Sequence, residues 1–288
     1  MKRLISTVLL AMLGVAGLAG SAQAQEIQMT GPLAGAPATR HLRLYRQGRF
    51  EIAPTTSFTL LDEYRRTILF GGRLQYNITD WLGVGAWGAF GAISSTTDLT
   101  DQIDAKAPRN LLTQVNVPNC RPGTAACPSF VDQTAKMNWV LAPQAQFVPF
   151  RGKLSIFQKV FVDTDAYLHA GVAFVGITER NSCGPGTGGP ADCANYRGGS
   201  FSTASRTAIA PTFGIGLNFY LNDFMALGVE YRALPFSWNR AGFDSSGGGP
   251  GNGFPDNKID SNDRTFKFNQ MITIALGFSL PASPKTSE

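Results

Sequence analysis

Charge is scarce in this chain of 288 residues: Asp, Glu, Lys and Arg together make up 16%, against about a quarter in an ordinary soluble domain. Histidine is rarer still, with His41 and His169 the two present, which leaves little material for an imidazole-based triad or a metal site. Beyond the first residues no apolar run approaches the ~18 residues that a membrane-crossing helix needs. There is no basic patch with interleaved aromatics, so the net charge of +5 does not read as a nucleic-acid surface. The four cysteines lie far from any histidine and lack zinc-site spacing.

Glycine (32 residues) and phenylalanine (20 residues) are abundant, and they mix within the apolar runs. The N-terminus has three parts: the basic pair Lys2-Arg3, an apolar run from Leu4 to Leu18, and the small-residue site Ser21-Ala22-Gln23-Ala24. That is the pattern of a signal peptide over residues 1–24, cleaved after Ala24 during export through the Sec pathway. Residues 25–48 read as a flexible basic segment. Gly31-Pro32 and Ala36-Pro37 loosen it, and Arg40, Arg43, Arg46 and Arg49 recur at every third position. The expectation for these arginines is a solvated lead-in on the periplasmic side of a membrane.

Eight stretches then alternate apolar with small or polar residues, the two-residue period of a strand: 49–60, 67–76, 82–93, 137–150, 161–177, 207–221, 225–237 and 265–280. In 265–280, Phe266, Phe268, Gln270, Ile272, Ile274, Leu276, Phe278 and Leu280 oppose Lys267, Asn269, Met271, Thr273, Ala275, Gly277 and Ser279. The same split puts Met137 beside Trp139 on an apolar face and Ile93 beside Trp87 on the opposite kind of face. No charged residue falls on any apolar face. The other face is rich in Gly, Ala and Thr and poor in Lys and Glu, which suits the lining of a narrow tube better than a water-facing surface.

The expectation is therefore an all-β fold over residues 49–280, an eight-stranded antiparallel transmembrane barrel of the outer-membrane, up-and-down type, with a tail at 281–288. Its connections alternate in length. Asn77 to Asp80, 151–160 and Asn222-Asp223 are short; 94–136, 178–206 and 238–264 are long; the first hairpin, 61–66, is a short one on the long-loop side. Short turns face the periplasm in such barrels and long loops face outward. Two echoing phrases, YNITDWLGVGAWGAF and YLNDFMALGVEYRAL, then mark periplasmic turns, with Thr79, Asp80 and Trp81 in one and Asn222, Asp223 and Phe224 in the other.

Inward parity collects the candidate lumen residues: Arg49, Glu51, Arg73, Asp163, Asp165, Glu230, Arg232 and Lys267, with His169 among them. Eight strands leave an interior that side chains just fill, and charges buried there must pair or be hydrated. An ion-pair network plugging the lumen, with Trp87, Tyr167 and Tyr220 adding bulk, is the primary reading; a gate that swaps partners is the alternative. Cys120 and Cys127 share one long loop, and Cys183 and Cys193 the next. Export implies two disulfides in one of three connectivities, and pairing within each loop is expected. Asp256, Asp260 and Asp263 lack the spacing of a calcium loop, so no metal or cofactor is expected. No serine on its own face lies near His169, so the chain does not read as an enzyme.

The block from Arg49 to Phe90 resembles the start of a paralogous family of outer-membrane barrel proteins of myxobacteria and related delta-proteobacteria. The likeness rests on Arg49-Phe50-Glu51-Ile52, Pro54, the step from Ser57 to Asp62, and the turn from Tyr76 to Trp81, and is most specific over 49–93. The resemblance implies an outer-membrane barrel without catalytic activity; some similar barrels serve envelope-spanning assemblies, including gliding-motility machinery. The expected role is structural, as an anchor or component of such a complex, with outer-membrane lipid, lipopolysaccharide and envelope proteins as partners. A small-solute or ion channel and a lipid-modifying enzyme are the alternatives.

Overall fold

Alternation along each stretch is realised as strands in a computed structural model, which describes residues 46–106, 130–156, 160–182, 203–244 and 258–281. The strands are β1 (Phe50–Leu60), β2 (Arg65–Asn77), β3 (Leu82–Thr96), β4 (Lys136–Ile156), β5 (Val160–Arg180), β6 (Thr203–Tyr220), β7 (Met225–Trp238) and β8 (Thr265–Leu280). They close in sequence order into an antiparallel eight-stranded barrel. The closing seam joins β1 to β8, with Ile52 opposite Phe278 and Phe58 opposite Ile272. The signal peptide, residues 25–45, and all four cysteines lie outside the described residues.

The echoed turns are built by their polar side chains. Leu82 donates its backbone N–H to Thr79 Oγ1 at 3.0 Å, and Phe224 and Met225 donate theirs to Asn222 Oδ1 at 3.1 and 2.8 Å. In both phrases a short polar residue replaces a missing backbone partner and turns the chain within a few residues. The turn expected over 151–160 is shorter than anticipated. Pairing of β4 with β5 continues through Arg151 opposite Asp165 and on to Ile156 opposite Val160. The Arg151–Asp165 ion pair, at 3.5 Å, joins residues directly across the ladder, so Gly152 does not break the strand. Pairing of β3 with β4 stops at Phe147 and that of β6 with β5 at Asp163. Past those points the two strands pair with each other and touch the β2–β3 turn, through the Val148 N–H on the Trp81 carbonyl at 2.8 Å and Arg151 near Asp80 at 3.7 Å.

The outer surface is apolar. Phe50, Leu74, Ile209 and Phe266 are 58%, 60%, 69% and 67% exposed, and the other strands present Phe90, Trp139, Phe147, Leu168 and Val229 the same way. Gln270 on this face accepts a 2.8 Å hydrogen bond from the Tyr231 hydroxyl, so the two shield each other's polarity. Ile93, Met137 and Phe150 depart from simple parity, and Phe150 points outward past the β4–β5 register shift between Phe147 and Phe150. Ile93 points outward, because the β2–β3 register shifts between Ile68 and Leu69. Met137 is buried, because the β4–β5 register shifts between Met137 and Trp139. A bulge inserts one residue and flips every side chain beyond it to the other face.

The interior divides into two halves. Toward the loop end it is an apolar core of Leu69, Met137, Val140, Val175, Ile177, Leu234, Phe236, Trp238 and Met271. Above that core, a helix (Asp98–Lys106) and a helical turn (Phe130–Gln133) bring Phe130 against Ala241, Tyr64, Ile103 and Phe243. Arg240 pins this cap through Asp62 at 3.2 Å and the Asn269 side chain at 2.5 Å. Toward the turn end the interior is polar.

A candidate functional site inside the barrel

The polar half is lined by inward positions of β1, β2, β5 and β7, brought to one level by the register of the ladders. Its charges alternate in sign along a continuous row. Asp165 meets Arg46 at 3.3 Å; Arg46 meets Glu51 at 3.4 Å; Glu51 meets Arg73 at 2.6 Å. Arg73 meets Glu230 at 3.1 Å, and Glu230 meets Arg232 at 2.6 Å. All six are buried. The Tyr167 hydroxyl accepts a 2.7 Å hydrogen bond from Arg73 and donates one of 2.9 Å to Glu230 Oε2. Arg232 also donates to Thr212 Oγ1 and Gln144 Oε1. Its guanidinium lies 4.4 Å from the centre of the Trp87 ring, where the charged row meets the apolar core. Ion pairs this deep persist where each charge has an opposite charge and hydrogen bonds around it.

Of the residues expected in the lumen network, Glu51, Arg73, Asp165, Glu230 and Arg232 form this row. His169 belongs with it: it is 2% exposed, with Nδ1 3.8 Å from Glu230 Oε2. Gly214 and Gly216 of β6 stand opposite His169 and Tyr167 in the ladder, and a Cβ on Gly216 would meet the Tyr167 ring. The glycines seat the two rings. Asp163 sits half-buried at the turn end opposite Tyr220.

Two expectations are corrected. Lys267 has inward parity but lies at the loop-end rim, where it reaches Glu63 at 2.9 Å with its side chain 32% exposed. Parity gives the face and not the depth along the axis. Arg46, read as part of a solvated lead-in, is 2% exposed and belongs to the row. The chain before β1 folds back across the mouth: Arg46 and Gln47 donate their backbone N–H groups to Asp80 Oδ1 at 2.7 and 3.1 Å. Gly48, at φ +75°, takes a left-handed conformation that favours glycine. Arg49 lies outside the row. It donates to the backbone carbonyls of Pro281, Asp223 and Ser279 at 3.2, 2.8 and 3.5 Å, clasping the end of β8.

Asp80 therefore fastens the leading segment as well as occupying its turn. Trp81 and Phe224 are half-exposed at the turn end, and Trp81 packs edge-on to Phe147 with ring centres 5.8 Å apart. At the opposite rim Glu179 holds Arg206 and Arg264 at 3.0 and 3.1 Å. Burial pushes the nearby Asp62 carboxyl above its ordinary pKa, against the hydrogen bond from Thr59 and the charge of Arg240. Asp260 and Asp263 make local turn contacts, with the Asp260 N–H on Asp263 Oδ2 at 3.0 Å.

No protein-family model and no curated protein matches the sequence. Among solved structures, the chain is similar to the N-terminal β-barrel domain of Pseudomonas aeruginosa OprF, at 12% identity and a TM-score of 0.41 over 81% of this chain and 98% of that one. It is also similar to the outer membrane protein OprG from the same organism, at 11% identity and a TM-score of 0.39 over 82% and 97%. Neisserial surface protein A follows at 11% identity and a TM-score of 0.33 over 80% and 93%.

Proposed function

We propose that the protein is an exported outer-membrane barrel with a closed lumen and a structural role, as an anchor or component of an envelope-spanning complex. The observation that carries this reading is an apolar exterior around an interior row of charges that each meet an opposite charge. Exposed side chains such as Phe50, Leu74, Ile209 and Phe266 are disfavoured in water and at ease against hydrocarbon. Inside, the charged row fills the turn-end half and the apolar core blocks the other. Membrane lipid and lipopolysaccharide then cover the outer face, and envelope proteins engage the turns or loops. His169, at 2% exposure, is out of reach of a substrate, so the barrel is read as non-catalytic and its histidine as structural.

One observation favours a second reading. Arg73 bridges Glu51 and Glu230 at once, the arrangement that a partner-swapping ion gate needs. Planar-bilayer recording of the purified protein separates the two. A closed structural barrel gives no sustained current at any moderate voltage; steady unitary currents would replace the structural reading with the channel. Unheated samples should also migrate differently from boiled ones on a gel, and recovery of the processed chain as a detergent-free soluble species would overturn the membrane assignment.

A further inference from the structure

The contacts of Arg46 differ in kind from those of the other row members. Glu51, Arg73, Asp165, Glu230 and Arg232 project from barrel strands, whereas Arg46 reaches in from the segment before β1. The barrel wall supplies the receptor. Glu51 Oε2 and Asp165 Oδ2 receive two different guanidinium nitrogens, Nη2 at 3.4 Å and Nη1 at 3.3 Å. The Tyr220 hydroxyl fixes Asp165 by donating to the same Oδ2 at 2.8 Å. Glu51 is fixed from behind by Arg73 at 2.6 Å. Arg151 approaches the other Asp165 oxygen at 3.5 Å. Two carboxylates braced from opposite walls thus face the two terminal nitrogens of one planar cation, geometry that selects a guanidinium over a point charge.

Among the described residues, the segment carrying Arg46 has few other ties. Gln47 and Gly48 are exposed, and the segment is fastened by the backbone donors on Asp80 and by the Gly48 N–H on the Asn77 carbonyl at 2.8 Å. Without Arg46 the row would end on the carboxylates of Glu51 and Asp165, with Arg73 and Arg151 as their remaining cations.

We propose that the turn-end mouth of the barrel is a guanidinium-binding site, built from Glu51, Asp165 and Tyr220, in which Arg46 is a tethered ligand. The site accepts a free guanidinium-class cation when the tethered one is removed. This goes beyond the structural role proposed above and holds whether or not the barrel conducts.

Chemical rescue tests it. The readout is the temperature at which the folded gel form of the detergent-solubilised protein converts to the unfolded one. Arg46→Ala is expected to lower that midpoint by about 5–10 °C, the effect of opening a buried ion pair in a domain this size. Millimolar methylguanidinium restores it toward wild type, while sodium and tetramethylammonium at equal ionic strength do not. Wild type, whose site is filled, does not respond, and Arg46→Ala combined with Asp165→Asn loses the rescue. Arg46→Gln serves the same comparison should the alanine variant fail to fold. A midpoint unchanged by loss of Arg46, no rescue, or an equal response in wild type and the double variant would overturn the proposal.

Discussion

Arg73 holds two carboxylates and a phenol from three different strands, so its removal costs the buried Glu51 and Glu230 one of their cations each and leaves them Arg46 and Arg232. Arg73→Ala is expected to destabilise the barrel by about 3–5 kcal/mol, the range for breaking one side of a buried pair, read as a shift in the urea midpoint in detergent micelles. At the loop end, Asp62 gives a pH signature. Its carboxyl is raised in the folded protein by burial, so as pH climbs past the ordinary aspartate range the unfolded chain loses its proton first. Stability conferred by Asp62 is thus present below that range and falls until pH passes the raised value. Asp62→Asn should flatten this part of the stability profile measured by denaturant titration between acidic and neutral pH; an identical profile in the variant would sink the assignment. Strand alternation made the row members Glu51, Arg73, Asp165, Glu230 and Arg232 legible in the sequence, because parity within a strand decides the face. It could not place Arg46, whose burial depends on a chain reversal at Gly48 outside any strand, nor the depth of Lys267.

Among the elements, β5 and β6 show how a ring and a glycine share space. Tyr167 lies over Gly216 in the ladder, so Gly216→Ala pushes the phenol off both Arg73 and Glu230. A cost of about 1–3 kcal/mol is expected, as for overpacking in a filled interior, and a double-mutant cycle with Tyr167→Ala should recover much of it. Additive effects in that cycle would mean that the two residues do not compete. All eight strands were legible from their period, and the turns at Thr79-Asp80 and Asn222-Asp223 from their repeated phrase. The bulges that turn Ile93 outward and Met137 inward carry no compositional mark. The extension of β4 and β5 past Phe147 was hidden by Gly152, a turn signal that cross-strand charge pairing overrides.

At the scale of the whole molecule the charged row near the turns and the apolar core near the loops lie in series, and the closed-lumen reading proposed above makes each a barrier. Opening either one alone leaves the other. Arg73→Ala should therefore remain silent in planar bilayers, and current should emerge only when Trp87→Ala and Met271→Ala thin the core as well. Current from Arg73→Ala alone would show that the apolar half does not seal. The cylinder itself closes through β1 and β8, the first and last of the described strands, and Arg49 clasps the carbonyls of Ser279 and Pro281. Until the ribosome has released β8, the nascent sheet is a ribbon with two unpaired margins, each a template for wrong partners and each intolerable in hydrocarbon. On the membrane reading proposed above, insertion follows the release of β8, and a chain cut short of β8 is expected to be degraded instead of inserted.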